Sequence, residues 1–142
     1  MSGGGRPLKV LLAVTRLELG GAQRVVLDTA ARLDRGSFAV GLAWGPGELL
    51  DAEAAALPAL ERFPLPALVR EVAPPKDLAA LAGLRRTIRS FAPDVVHTHS
   101  SKAGILGRLA ARLERVPAVV HTVHGFGFTP LQRTPVRWAF RA

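Results

Sequence analysis

Apolar residues along this chain fall into two alternating kinds of run. Residues 8–14 are almost continuously apolar, as in a strand covered on both faces. Residues 38–44 repeat that pattern at the same length, and 62–65, 94–98 and 118–122 give shorter strands. Between them the spacing turns helical. Residues 22–33 place Val25, Val26, Thr29, Ala30 and Leu33 on one stripe, and residues 77–91 place Leu78, Leu81, Leu84 and Ile88 toward a core. Residues 48–57 predict a short helix stopped by Pro58, and 102–115 predict another. Gly36 is expected to end the first helix, and Gly45-Pro46-Gly47 to turn the chain after the second strand. Residues 66–75 read as an irregular, proline-rich connection, 129–135 as loop, and 136 onward as a helix with no stop signal before Ala142. Strands alternating with helices at this spacing predict an α/β fold: a Rossmann-like parallel sheet with helices on both faces. Such sheets take ligands at the C-terminal ends of their strands, where strand order reverses.

Composition narrows this picture. At 142 residues with 49% apolar content, the chain suits one domain with a real core, residues 8–142, behind a flexible leader at 1–7. It has no cysteine, so disulfides, thiolate metal sites and a cysteine nucleophile are excluded. No apolar stretch reaches the roughly 18–20 residues of a membrane span. The run at 8–14 contains Lys9 and lacks a cleavage site, so it is not a signal peptide. The expected location is the cytoplasm, with a peripheral position at the inner face of the cell membrane as an option.

Charge is unevenly spread. Residues 1–83 carry nine basic and nine acidic side chains, whereas residues 84–142 carry ten and two and hold the whole net charge of +8. A half this basic attracts phosphates or anionic lipid, unless it is an ordinary solvated face. Arg108, Arg112 and Arg115 form a stripe on the 102–115 helix, expected opposite Ile105, Leu109 and Leu113, and are the candidate contact with an anionic membrane. Nucleic acid is not an expected partner: tyrosine is absent, and there is no recognition helix or aromatic-studded strand.

Candidate chemistry gathers just after the strands. Gly20-Gly21 precedes a helix start, where free N–H groups and the helix dipole favour an anion, or where two glycines simply make the turn. His97 and His99 flank Thr98, but no third metal ligand is evident, so no metal is assigned. His97 reads as a hydrogen-bonded residue at the sheet end, and His99 as the one nearer the crevice. Ser100 or Ser101 is positioned to cap the helix opened by Lys102, whose Gly104 and Gly107 imply close packing on the sheet or close approach of a ligand. His121 lies inside an apolar strand and reads as structural, while His124 follows that strand, precedes Gly125 and can enter the crevice.

Taken together, Gly20-Gly21-Ala22-Gln23-Arg24, the segment from Asp94 to Ser100, Lys102 to Arg108 and His121 to Phe126 resemble the N-terminal domain of retaining family 4 glycosyltransferases of the two-domain GT-B fold. The bacterial enzymes that build exopolysaccharide, capsule or lipopolysaccharide on lipid carriers resemble it most. The resemblance implies that Gly20 and Gly21 lie against the donor diphosphate and that His124, the candidate catalytic residue, meets the donor sugar, with Gly125 beside it. It places Ser100 and Lys102 on the sugar and acceptor side of the cleft, where His99, by its position nearer the crevice, is the further candidate for substrate contact. It implies a nucleotide-sugar donor, with a UDP-sugar the commonest, a lipid-linked or saccharide acceptor, and no cofactor. Gln23 stands where the family usually has glutamate. The family's nucleotide-binding domain, with its glutamate-x7-glutamate motif, is not in this sequence, so the isolated chain is expected to be inactive and to need that domain in cis or from a partner subunit. A non-catalytic module pairing with such a subunit and a GT-B epimerase are the alternatives.

Overall fold

The computed structural model describes residues 5–123. Nine elements follow one another: β1 (Leu8–Arg16), α1 (Gly21–Arg32), β2 (Phe38–Gly45), α2 (Asp51–Ala56), β3 (Leu60–Pro64), α3 (Pro74–Phe91), β4 (Val95–His99), α4 (Ser101–Leu113) and β5 (Ala118–Thr122). The five strands form one parallel sheet in the order β3-β2-β1-β4-β5. The expected fold class is therefore the observed one.

Alternation along β1 divides the core. Val10, Leu12 and Val14 pack with Val26, Leu27 and Ala30 of α1 and Ala54 of α2 on one face. Leu11 and Ala13 pack with Ala80, Leu84, Ile88 and Phe91 of α3 and Ala110 and Ala111 of α4 on the other. Gly41 of β2 sits beneath the edge-to-face pair Phe63 and Phe91, whose rings are 5.8 Å apart. Gly45 has a different reason to be glycine. A Cβ there would lie 1.9 Å from the carbonyl oxygen of Leu68, so the 65–68 connection crosses directly over the end of β2.

Several local expectations are corrected. Helix α1 ends at Arg32, before Gly36, and the Arg35 guanidinium takes the carbonyls of Ala30 and Leu33 at 2.6 and 2.8 Å. Helix α3 begins three residues early because Pro74 and Pro75 fill its first turn, where a missing N–H costs nothing. Leu78 is 69% exposed and does not face the core; it lies about 200° around the helix from buried Ala80. On α4 the apolar stripe expected opposite the arginines is not the buried side. Ala103, Gly104, Gly107, Ala110 and Ala111 are buried, and Ile105, Leu109 and Leu113 face outward. Arg115 lies beyond the last helical residue with a left-handed φ of 58°. Arg6, placed in the leader by its sequence, is tied to Asp94 by two bonds of 2.7 Å.

Candidate functional site at the sheet switch point

Strand order reverses between β1 and β4. From their C-terminal ends the chain turns to opposite faces of the sheet, into α1 and α4, and opens a crevice between them. A cavity of about 240 Å³ occupies it. Thr15, Arg16 and Glu18 form one wall; Ser100, Ser101 and Lys102 form the other; Gln23 and Arg70 close the sides.

A hydroxyl pair joins the walls. Ser100 Oγ lies 2.6 Å from Thr15 Oγ1 and accepts the Thr15 N–H at 3.1 Å. Thr15 Oγ1 in turn accepts the Ala103 N–H at 3.1 Å, inside the first turn of α4. The cap is thus made by a buried threonine from β1, whereas Ser100 occupies the cap position without making the cap bond. Ser100 holds φ 68° and ψ 164°, a conformation that side chains rarely adopt and that costs about 1–3 kcal/mol. The hydroxyl pair and the Gly104 N–H to Ser100 carbonyl bond at 2.9 Å hold it there. Two hydroxyls share one mutual bond, so one O–H proton remains for a group outside the pair.

The charged groups are held by partners. Lys102 Nζ donates to Asp77 at 2.7 Å and to the Glu71 carbonyl, bridging α4 to the start of α3. Its hydrogen bond, helped by the Ala73 N–H, keeps the Asp77 carboxyl below the usual carboxylate range. Arg16 pairs with Glu48 at 3.1 Å, and Arg70 with Glu18. The cavity lining carries three cations, Arg16, Arg70 and Lys102, against the single carboxylate of Glu18.

Ser100 and Lys102 therefore stand in the cavity wall. Gly20 adjoins it through Gln23: it has extended backbone and abuts the Gln23 side chain, which lines the cavity. Gly21 opens α1, and a Cβ on it would meet nothing within 4 Å. His99 is 1% exposed, stacked on His97 at 4.2 Å, and is not among the lining residues. His97 Nε2 bonds Thr122 Oγ1 at 2.6 Å, and His121 Nδ1 bonds Thr98 Oγ1 at 2.8 Å. His124 and Gly125 lie outside the described residues. Gly104 and Gly107 are explained by packing. Added Cβ atoms would approach His121 Cε1 and Thr98 Cγ2, each at 2.6 Å, so α4 rests directly on β4 and β5. Among the described residues no set of three His, Asp or Glu side chains gathers as metal ligands, and no helix is long and apolar enough to cross a membrane. Thr15 is the residue that sequence reasoning missed; a polar residue at the end of an apolar run was its only signal.

Comparison with known proteins extends this picture. Residues 19–142 match the family model "Glycosyltransferase Family 4". The chain is 41% identical over 127 residues to the UDP-Gal:alpha-D-GlcNAc-diphosphoundecaprenol alpha-1,3-galactosyltransferase of Escherichia coli, covering 87% of the chain and 31% of that relative. The chain thus spans about a third of the relative's length. In fold it is similar to MurG of Acinetobacter baumannii, with a TM-score of 0.60 at 21% identity, over 81% of this chain and 34% of that one. It is also similar to a UDP-N-acetylglucosamine 2-epimerase, with a TM-score of 0.59 at 17% identity, over 96% of this chain and 38% of that one. Those two likenesses speak for the sheet and its connections, which an epimerase shares, and the family match decides between them. With its parallel sheet and its crevice between β1 and β4, the chain belongs to glycosyltransferase family 4, as the N-terminal domain of a GT-B fold.

Proposed function

We propose that the chain is the acceptor-side domain of a retaining glycosyltransferase that moves a sugar from a nucleotide sugar, a UDP-sugar first among them, to a lipid-linked or saccharide acceptor in cell-surface polysaccharide synthesis. A nucleotide-binding domain, in cis or from a partner subunit, completes the cleft. The enzyme works in the cytoplasm at the inner face of the cell membrane. The named activity of the Escherichia coli relative, a transfer from UDP-Gal to a diphosphoundecaprenol-linked sugar, supports the choice of substrates.

The observation that carries this reading is the bare start of α1. Its first-turn N–H groups have no partners within the helix, and no side chain of Gly21 stands in front of them. A donor diphosphate can come within hydrogen-bond distance there, and fixed donors facing the departing phosphate lower the barrier as charge builds on it. Ser100 and Lys102 are assigned to the acceptor side, and His124 with Gly125 to the donor sugar, whereas buried His99 lies behind the cavity wall and is given no contact with substrate. Reaction needs no metal or cofactor in this scheme.

The test uses Gly21→Ala and Gly20→Ala in the chain joined to its nucleotide-binding domain. The new methyl group meets open space at Gly21 and only the tip of Gln23 at Gly20. Stability should therefore move by about 0.5 kcal/mol or less, while kcat/KM for the nucleotide sugar falls at least roughly tenfold, about 1.4 kcal/mol in the transition state. Unchanged turnover in both variants would remove the glycines from the donor site. Residues 1–142 alone should show no turnover, and measurable transfer by them would refute the need for a second domain.

A further inference from the structure

Each cation lining the polar cavity already holds a carboxylate. Lys102 holds Asp77 together with the Glu71 carbonyl, Arg16 holds Glu48, and Arg70 holds Glu18. An anion entering the cavity therefore gains a cation only by taking it from its partner. The three pairs differ in how readily they part. The side chains of Lys102 and Asp77 are 14% and 24% exposed, those of Arg16 and Glu48 23% and 32%, and those of Arg70 and Glu18 62% and 36%. The more open a pair is to water, the less it contributes and the more easily either partner is replaced. Of the three, the Arg70–Glu18 pair is also the one whose two members both line the cavity.

The roots of this pair are fixed. Glu18 follows Leu17, which is fully buried and whose carbonyl accepts the Leu50 N–H at 3.0 Å. Arg70 lies two positions after Leu68, which is also fully buried, in the connection that crosses the end of β2. With both backbones anchored, the pair can part by rotation of its two side chains alone. We infer that Glu18 is an internal counter-ion that occupies Arg70 until the phosphate of a substrate displaces it, so that this exchange sets the affinity of the site. The inference rests on the transferase reading above for the identity of the anion, and adds a control on the same cavity. A phosphate brings more charge than a carboxylate, and the guanidinium fork accepts either with paired bonds. Glu18 then turns into the solvent that it already meets. The site binds more weakly than its cations alone would allow, in proportion to the time Glu18 spends on Arg70. Arrival of substrate thereby unties the loop that enters α1 from the connection facing it.

Inorganic diphosphate is the probe. In calorimetric titrations of residues 1–142 at low salt, Glu18→Gln should bind it roughly threefold tighter or more than the parent, the scale of an exposed ion pair. Arg70→Ala should bind it more weakly, and the gain from Glu18→Gln should shrink when Arg70 is already alanine. Both positions touch solvent, so thermal melts of the variants should stay close to that of the parent. Equal gains with and without Arg70 would overturn the exchange, because Glu18 would then act only as a charge at a distance. No gain from Glu18→Gln, or no binding of diphosphate by any variant, would overturn it as well. In the chain joined to its nucleotide-binding domain, Glu18→Gln should lower the KM of the substrate whose phosphate meets Arg70. A nucleotide sugar and a diphosphate-linked acceptor both carry such a group, and the KM that falls identifies which of them is bound there. Turnover with both KM values unchanged would sink the exchange and leave the transferase intact. No turnover by the parent would sink the transferase, and the diphosphate titrations would still decide the exchange.

Discussion

Thr15 has neither charge nor reactivity to draw the eye, yet its hydroxyl satisfies the start of α4 and fixes the strained Ser100. Replacing it with valine keeps the shape and removes the oxygen. The Ala103 N–H and the Ser100 hydroxyl each lose a partner inside the protein, which costs about 1–3 kcal/mol. Thr15→Val should therefore lower the melting temperature by several degrees, and Thr15→Ser should recover most of it. A valine variant as stable as the parent would mean that the helix start has another partner. The sequence marked Ser100 and Lys102 for the crevice because they follow a strand. It could not mark Thr15, because the bond that gives Thr15 its role spans 85 positions and local patterns carry no trace of it.

At the scale of elements, helix α4 shows where periodicity is legible and where it misleads. Strands β1, β2 and β5 are readable as apolar runs, and β5 falls at residues 118–122 as expected, whereas β3, with Glu61 and Arg62 in it, starts two residues before the expected 62–65. The buried side of α4 was misassigned because Leu and Ile dominate a hydropathy reading, whereas a helix lying close on a sheet buries its smallest residues. The glycine pair was the available clue. Its two members should respond unequally to a methyl group. Gly107 faces Thr98, which is fully buried and hydrogen-bonded, while Gly104 faces His121 on the half-exposed edge strand. Gly107→Ala should cost about 1–3 kcal/mol from overpacking, and Gly104→Ala distinctly less, as read by denaturant melts. Equal costs would contradict this packing.

The junction of β1 with β4 carries a pH signature. Arg6, and then the Lys9 N–H, hold the Asp94 carboxyl down to about 2. A lowered carboxylate pKa stabilises the fold above the ordinary value near 4 and loses that contribution as pH falls toward 2. Asp94→Asn should therefore melt a few degrees below the parent at pH 6, with the gap closing by pH 2. A gap that persists at pH 2 would assign the effect to packing.

On the scale of the whole molecule, sequence and structure agree on a charge split and differ on what accompanies it. The outward face of α4 carries Ile105, Leu109 and Leu113 with Arg108 and Arg112 alongside, so apolar and basic groups share one surface. Such a surface should hold anionic vesicles in low salt and release them as ionic strength rises. Reversing Arg112 and Arg115 to glutamate, both exposed, should weaken vesicle binding at least roughly tenfold, at about 1 kcal/mol per basic residue removed. Binding that ignores both salt and charge reversal would leave only a solvated face.

The seam between Thr15 and Ser100 also bears on how the molecule comes to be folded. Pairing β1 with β2 and β2 with β3 closes short stretches of chain, while pairing β1 with β4 closes a long one and meets the larger entropic cost. A chain caught with only the early half of its sheet has a core and three paired strands but no cavity at all. Ligand protection of Thr15 and Ala103 amides against hydrogen exchange would then report completion of the sheet, and the site would serve as its own test of correct folding.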